Sequence, residues 1–111
     1  MQHLAPEDRP REKLDAHGRG ALGDNELLAV VLGHGRGGAS ALDLANRLLA
    51  DVGGLRGLAR ASTTVLVQER GVGPAMASRI VAAVELGRRT VARATPARVQ
   101  ITAPADAARY L

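Results

Sequence analysis

The residues best placed for chemistry are four in a row, Gly71-Val72-Gly73-Pro74, set between two segments of helical character. Gly71 and Gly73 supply backbone angles open mainly to glycine, and their missing side chains let an anion reach the main chain. Pro74 suits the first position of a helix, where its absent N–H would go unpaired anyway. Beyond Gly73 the free N–H groups of a helix N-terminus converge, and the helix dipole favours negative charge there. Val72 points inward between the helices, Ala77 is small where they cross, and Arg79 follows on the exposed side, placed to touch a neighbouring phosphate. The chemistry on offer is phosphate binding. A tight turn in a helical core that binds nothing would use the same glycines and proline.

The stretch from Leu66 to Ile80 resembles a helix-hairpin-helix DNA-binding motif. Many such motifs carry a basic residue directly after the proline; Ala75 and Met76 stand there, which lowers the expected affinity. The segment from Leu27 to Ala45 looks like a degenerate copy, with a helix ending at Gly33, a glycine-rich basic loop, and a second helix opening at Ser40. Paired hairpins straddling a minor groove are one reading of it, and an ordinary helical hairpin is the other. The candidate DNA-binding residues are Gly71, Val72, Gly73, Arg79, Arg70, Arg36 and His34.

Other chemistries fail on detail. Residues 33–40 match a phosphate-binding P-loop except that Ala39 replaces the lysine, and the segment before them reads as helix, not strand. His3, His17 and His34 lack metal-ligand spacing with any carboxylate pair, and with no cysteine a disulfide or thiolate site is excluded. No catalytic residue, metal site or cofactor is assigned, and the chain by itself is not expected to be an enzyme.

The elements that must position these residues follow from composition. The 111 residues allow one compact domain with a modest core. Tyr110 is the only aromatic residue, so the core must be built from Leu, Val, Ile and Ala. With so few aromatics a single-strand stacking platform is disfavoured, and phosphate contact should dominate over base readout. Residues 1–26 hold four basic against six acidic groups, a balance of −2, and residues 27–111 hold eleven against five, a balance of +6. A basic body fits a polyanion partner, though a solvated arginine-rich surface would look the same. No long apolar run or export signal appears, so a cytoplasmic protein with no membrane partner is expected.

The spacing predicts an irregular arm over residues 1–22, with one helical turn at 11–16. It then predicts a buried helix over 24–32, introduced by acidic residues. Ser40 and Asp43 make a variant capping box for a helix to about Asp51, with Leu42, Ala45, Leu48 and Leu49 facing the core. Gly53-Gly54 ends it, Leu55 and Leu58 suggest a further turn, and Ser62 caps a helix to about Arg70. The helix from Pro74 is expected to bury Ala77, Ile80, Val81 and Val84, and to expose Arg79, Arg89 and Arg93, with a Glu85–Arg89 pair. Thr95-Pro96 should break it. Val99-Gln100-Ile101 alternates like a strand start, and Pro104 could open a terminal helix. The class is all-α: a small helical bundle with helix-hairpin-helix motifs and a C-terminal strand stub.

Residues 8–14 (Asp-Arg-Pro-Arg-Glu-Lys-Leu), Leu22, Glu26-Leu27-Leu28-Ala29 and the Gly71–Pro74 turn together resemble the N-terminal region of the RadC family, named as DNA-repair proteins. The resemblance implies a helix-hairpin-helix domain over 23–95 behind an arm over 1–22. It implies that 96–111, with Ile101-Thr102-Ala103-Pro104, leads into an absent JAB/MPN-type domain with a metalloprotease-like motif. Gly23 stands where the family usually has a capping serine, weakening the first cap by a few tenths of a kcal/mol or so. The implied partner is duplex DNA, through its backbone. The alternative is a protein-interaction module that positions its own C-terminal hydrolase domain or a homodimer partner, with Leu86 on the arginine face as its feature. Arg9, Arg11 and Lys13 alternate with acids and are expected to pin the arm to the body through ion pairs rather than to touch DNA.

Overall fold

The computed structural model describes residues 9–33 and 40–99, with side chains as far as Arg93. Six α-helices account for most of these residues: α1 Pro10–His17, α2 Asp24–Leu32, α3 Ala41–Val52, α4 Gly54–Arg60, α5 Thr63–Leu66 and α6 Pro74–Val99. A 3-10 turn, Arg19–Ala21, joins α1 to α2. No strand occurs among the described residues, and the fold is all-α as the sequence predicts.

The arm is more regular than expected. Pro10 presets the first helical position and Glu12 lies in the first turn, where the dipole favours it, so α1 runs for eight residues. Gly18, at φ 87°, ends it by donating its N–H to the Leu14 carbonyl at 2.9 Å. The 3-10 turn then delivers Leu22 into the core.

Gly23 has no side chain to cap α2, but half of a capping box survives. Its own N–H donates to the Glu26 carboxylate at 2.9 Å. Lys13 of α1 donates to the same carboxylate at 3.1 and 3.3 Å, so Lys13 pins the arm to the body as expected, whereas Arg9 pairs with Glu12 inside the arm at 3.8 Å. At α3 the Ser40 hydroxyl accepts from the Asp43 N–H at 3.0 Å, and left-handed Gly53 closes the helix. Ser62 caps α5 in the same way through the Val65 N–H at 3.2 Å. Helix α5 is far shorter than expected, because Gln68 and Glu69 bond to Val65 and Leu66 three residues back and tighten the chain into a turn.

The core is aliphatic. Leu28, Ala29 and Leu32 of α2 meet Leu44, Ala45 and Leu48 of α3, joined by Leu58, Leu66, Val72, Met76, Ala77 and Ile80. The buried face of α3 is centred on Leu44 and Leu48, while Leu42 and Leu49 lie at its edges, half-buried. On α6 Ala77 and Ile80 are buried as predicted, and Val81 and Val84 only half so.

The chain divides into two compact units, Met1–Val81 and Ala82–Leu111, with the division inside α6. The first holds every buried residue of the core, from Leu22 to Ile80. In the second, Glu85 accepts from both Arg88 and Arg89 at 2.7 Å, and those two guanidinium groups hold its carboxyl at about 2. Helix α6 continues through Thr95-Pro96 to Val99, where a break was expected. Proline removes one backbone donor but keeps a helical φ, and the alanines and arginines on both sides are strong helix formers. Val99, expected to begin a strand, is instead the last residue of α6; the rest of the strand stub and the terminal helix lie outside the described residues. Among the described residues no helix is long and apolar enough to cross a membrane.

Candidate nucleic-acid interface

The turn between α5 and α6 is built as a backbone device. Gly71 takes φ 96°, in the left-handed region that other residues rarely enter. Gly73 does not share this property, contrary to expectation; the residue before a proline is driven to extended geometry instead. The Val72 N–H closes the turn on the Glu69 carbonyl at 3.0 Å, and the Val72 side chain is buried. The first helical bond of α6 comes from Ala77 to Gly73 at 2.9 Å. No backbone acceptor is found among the described residues for the N–H groups of Gly73, Ala75 and Met76. Three donors are left at the positive end of a helix, the arrangement that suits a phosphate.

The other hairpin joins α2 to α3. Its glycine, Gly33, takes φ 81° and ends α2 by donating to the Ala29 carbonyl at 3.0 Å. His34 and Arg36, two of the candidate DNA-binding residues, lie outside the described residues.

Arg79 is where the sequence reading changes most. It lies on the exposed side of α6, yet its Nη1 donates to the carbonyls of Val31 and Leu32 at 3.3 and 3.2 Å. It therefore covers the negative end of α2 instead of standing free for a phosphate. Arg70 is exposed, with no side-chain partner among the described residues, and is the better free cation beside the turn. Its carbonyl accepts from Nη2 of Arg47, whose Nε stands 3.7 Å from the Glu69 carboxylate. Sequence reasoning passed over Arg47, although Ala45-Asn46-Arg47-Leu48 has the same pattern as Ala77-Ser78-Arg79-Ile80.

Burial, and then a hydrogen bond and repulsion from Asp51, raise the Glu69 carboxyl above its ordinary range against the opposing pull of Arg47. A carboxyl raised in the folded state stabilises the fold fully below its unfolded pKa and loses that contribution as pH rises through the folded pKa. Glu26 runs the opposite way, held down by the Gly23 N–H and then by Lys13, so its contribution is lost on acidification. Thermal melts of the native chain and of Glu69→Gln across pH 4 to 8 isolate the first effect. The native chain is expected to lose stability relative to the variant as pH rises through the carboxylate range; parallel curves would contradict the assignment.

Among the described residues no group of His, Asp and Glu could hold a metal ion. The site's resources are backbone donors and arginines.

Comparison with known proteins places the chain in a family. The UPF0758 N-terminal family matches residues 1–78. A UPF0758 protein of Roseiflexus castenholzii is 43% identical over 111 residues, all of this chain and 48% of the relative. One from Desulforudis audaxviator is 45% identical over 108 residues, 97% of this chain and 47% of its own length. A Staphylococcus aureus relative is 37% identical over 111 residues, covering 49% of its length. The chain thus spans about half the length of the curated relatives it matches. No solved structure matches it.

Proposed function

The chain belongs to the UPF0758 family, and from that premise we propose that its helical body binds the backbone of duplex DNA without reading base sequence. The observation that carries this reading is the α5–α6 turn. Left-handed Gly71, buried Val72, fully buried Ala77 and three N–H groups with no backbone acceptor among the described residues combine as in a helix-hairpin-helix motif. Arg70 adds a cation with no side-chain partner among the described residues. The family match stands at the level of the RadC resemblance, and a repair-associated role follows from that resemblance. The same resemblance assigns any metal-dependent hydrolysis to a JAB/MPN-type second half, leaving this chain a binding module with no catalytic or cofactor role. It works in the cytoplasm, where its DNA partner is found.

Two glycine variants separate phosphate approach from fold. At Gly71 a Cβ would sit 3.5 Å from Leu44 Cδ1, an ordinary contact. The left-handed angle itself is the obstacle, and Gly71→Ala is expected to cost about 1–2 kcal/mol of stability. Gly73→Ala should leave stability within about 0.5 kcal/mol. Its methyl group would obstruct the converging donors, weakening duplex binding by about tenfold, the loss of one charge-assisted bond. Fluorescence anisotropy on two unrelated duplexes, alongside thermal melts, reads both. Unchanged affinity for a folded Gly73→Ala would remove the hairpin from the interface.

A second reading has one observation in its favour. Leu86, in the second unit, is 66% exposed on an arginine-rich helix. It fits a module that docks a homodimer partner or the protein's own hydrolase domain. In the same assay Leu86→Asp should leave DNA affinity nearly unchanged. Loss of self-association by Leu86→Asp, with Gly73→Ala binding DNA normally, would favour the interaction reading.

A further inference from the structure

Helix α1 is weakly tied to the body it lies against. None of its eight residues is fully buried; Pro10, Glu12, Lys13 and Leu14 are half-buried and the other four are exposed. Among the described residues, the side-chain bonds that join α1 to the body are the two from Lys13 to the Glu26 carboxylate. Docking also leaves a polar atom poorly served: Oε1 of Glu12 is shielded from water and accepts no hydrogen bond among the described residues. An eight-residue helix is shorter than the roughly 12–15 residues that hold helical form alone in water, so α1 keeps its shape only while it is docked.

The connection to the body is a hinge. Gly18 takes φ 87°, and a Cβ on Gly18 or Gly20 would meet nothing within 4 Å. These glycines supply backbone freedom there and no close packing. Leu22, buried in the core, ends the hinge and stays with the body. Glu26 serves both sides of this boundary. It accepts from Lys13 of α1 and, at 2.9 Å, from the Gly23 N–H in the cap of its own helix. Losing Lys13 removes the first bond and leaves the second, so α2 keeps its cap when α1 departs.

We propose that α1 is a releasable strap, which undocks and melts about the Gly18–Gly20 hinge while the body stays folded, with the Lys13–Glu26 ion pair as its catch. The inference concerns the arm alone and is independent of what the body binds. The catch responds to the solution. Salt screens it, since both side chains keep some contact with water. Acid releases it too: the Gly23 N–H and then Lys13 hold the Glu26 carboxyl below its ordinary range, and Lys13 is the charged side chain that acts on it. The catch is therefore complete above the ordinary carboxylate range and is lost as pH falls through the lowered value.

Amide exchange by NMR on the full chain tests the strap. The reporters are Gly18 N–H, which bonds to Leu14 at the end of α1, and Leu27 N–H, which bonds to Gly23 at the start of α2. The Leu48 amide reports the core. In the native chain Gly18 is expected to exchange far faster than Leu48, by local opening. Lys13→Gln should speed Gly18 about tenfold further and leave Leu27 and Leu48 unchanged. Glu26→Gln, which weakens the cap as well, should speed both Gly18 and Leu27. Lys13→Arg keeps a cationic donor and should restore most of the protection. Raising salt should speed Gly18 in the native chain and have little effect on it in Lys13→Gln; the native chain carries this arm of the test should a variant fail to fold. Gly18 exchanging as slowly as Leu48 would overturn the proposal, and so would a Lys13→Gln effect that is absent at Gly18 or equal at all three amides.

Discussion

Leu48→Ala is expected to lower the unfolding free energy by about 2–5 kcal/mol, the range for leucines truncated in a rigid core. Leu48 has no exposed surface, and it sits on α3 in the stretch that α6 repeats. Among the described residues the core around it is made of leucine, isoleucine, valine, methionine and alanine, with no aromatic ring that could swing into the space. The cavity should therefore stay largely open, which puts the loss toward the upper part of that range. Domains of this size have total stabilities near 5–15 kcal/mol, and each kcal/mol moves the midpoint by about 4–8 °C. A fall of more than 10 °C or so in Tm is the expected result by circular dichroism. Leu55→Ala is the control: Leu55 is 50% exposed and should cost far less. A Leu48→Ala chain that melts within a few degrees of the native one would mean that the two hairpins do not share this core.

What could be read from the sequence was whatever local chemistry decides. Ser40 and Ser62 cap the helices they were expected to cap, because a hydroxyl finds an amide three residues on without help from the rest of the fold. Gly53 and Gly71 end or turn the chain at the expected places for the same reason. Buried Val72, Ala77 and Ile80 followed from helical spacing and residue size. The misreadings all involve distant partners or competing local effects. The helix expected to run to Arg70 stops at Leu66, where three-residue bonds tighten the turn and Arg47 of α3 takes hold of the Glu69–Arg70 segment. Gly73 owes its geometry to the proline after it, which outweighs its own freedom.

Arg79 shows the limit most clearly. Helical spacing puts it on the exposed face, and it is there. No periodicity says that its guanidinium would turn back to carbonyls 47 and 48 positions earlier in the chain. A long side chain chooses among partners that only the assembled fold brings near. The repeated Ala-x-Arg-apolar pattern was the one available hint that Arg47 and Arg79 both bond to distant backbone carbonyls.

The central claim, duplex binding through backbone phosphates, has its most direct test in a titration of the native chain against duplex DNA at several salt concentrations. If the two turns and their flanking cations neutralise about four phosphates, the log–log slope of affinity against salt should lie near −3.6, at roughly −0.9 per contact. Raising salt from about 50 to 200 mM should then weaken binding on the order of a hundredfold, equally for duplexes of unrelated sequence. A chain shown to be folded by circular dichroism that does not bind at low salt, or that binds with a slope near zero, would contradict the account.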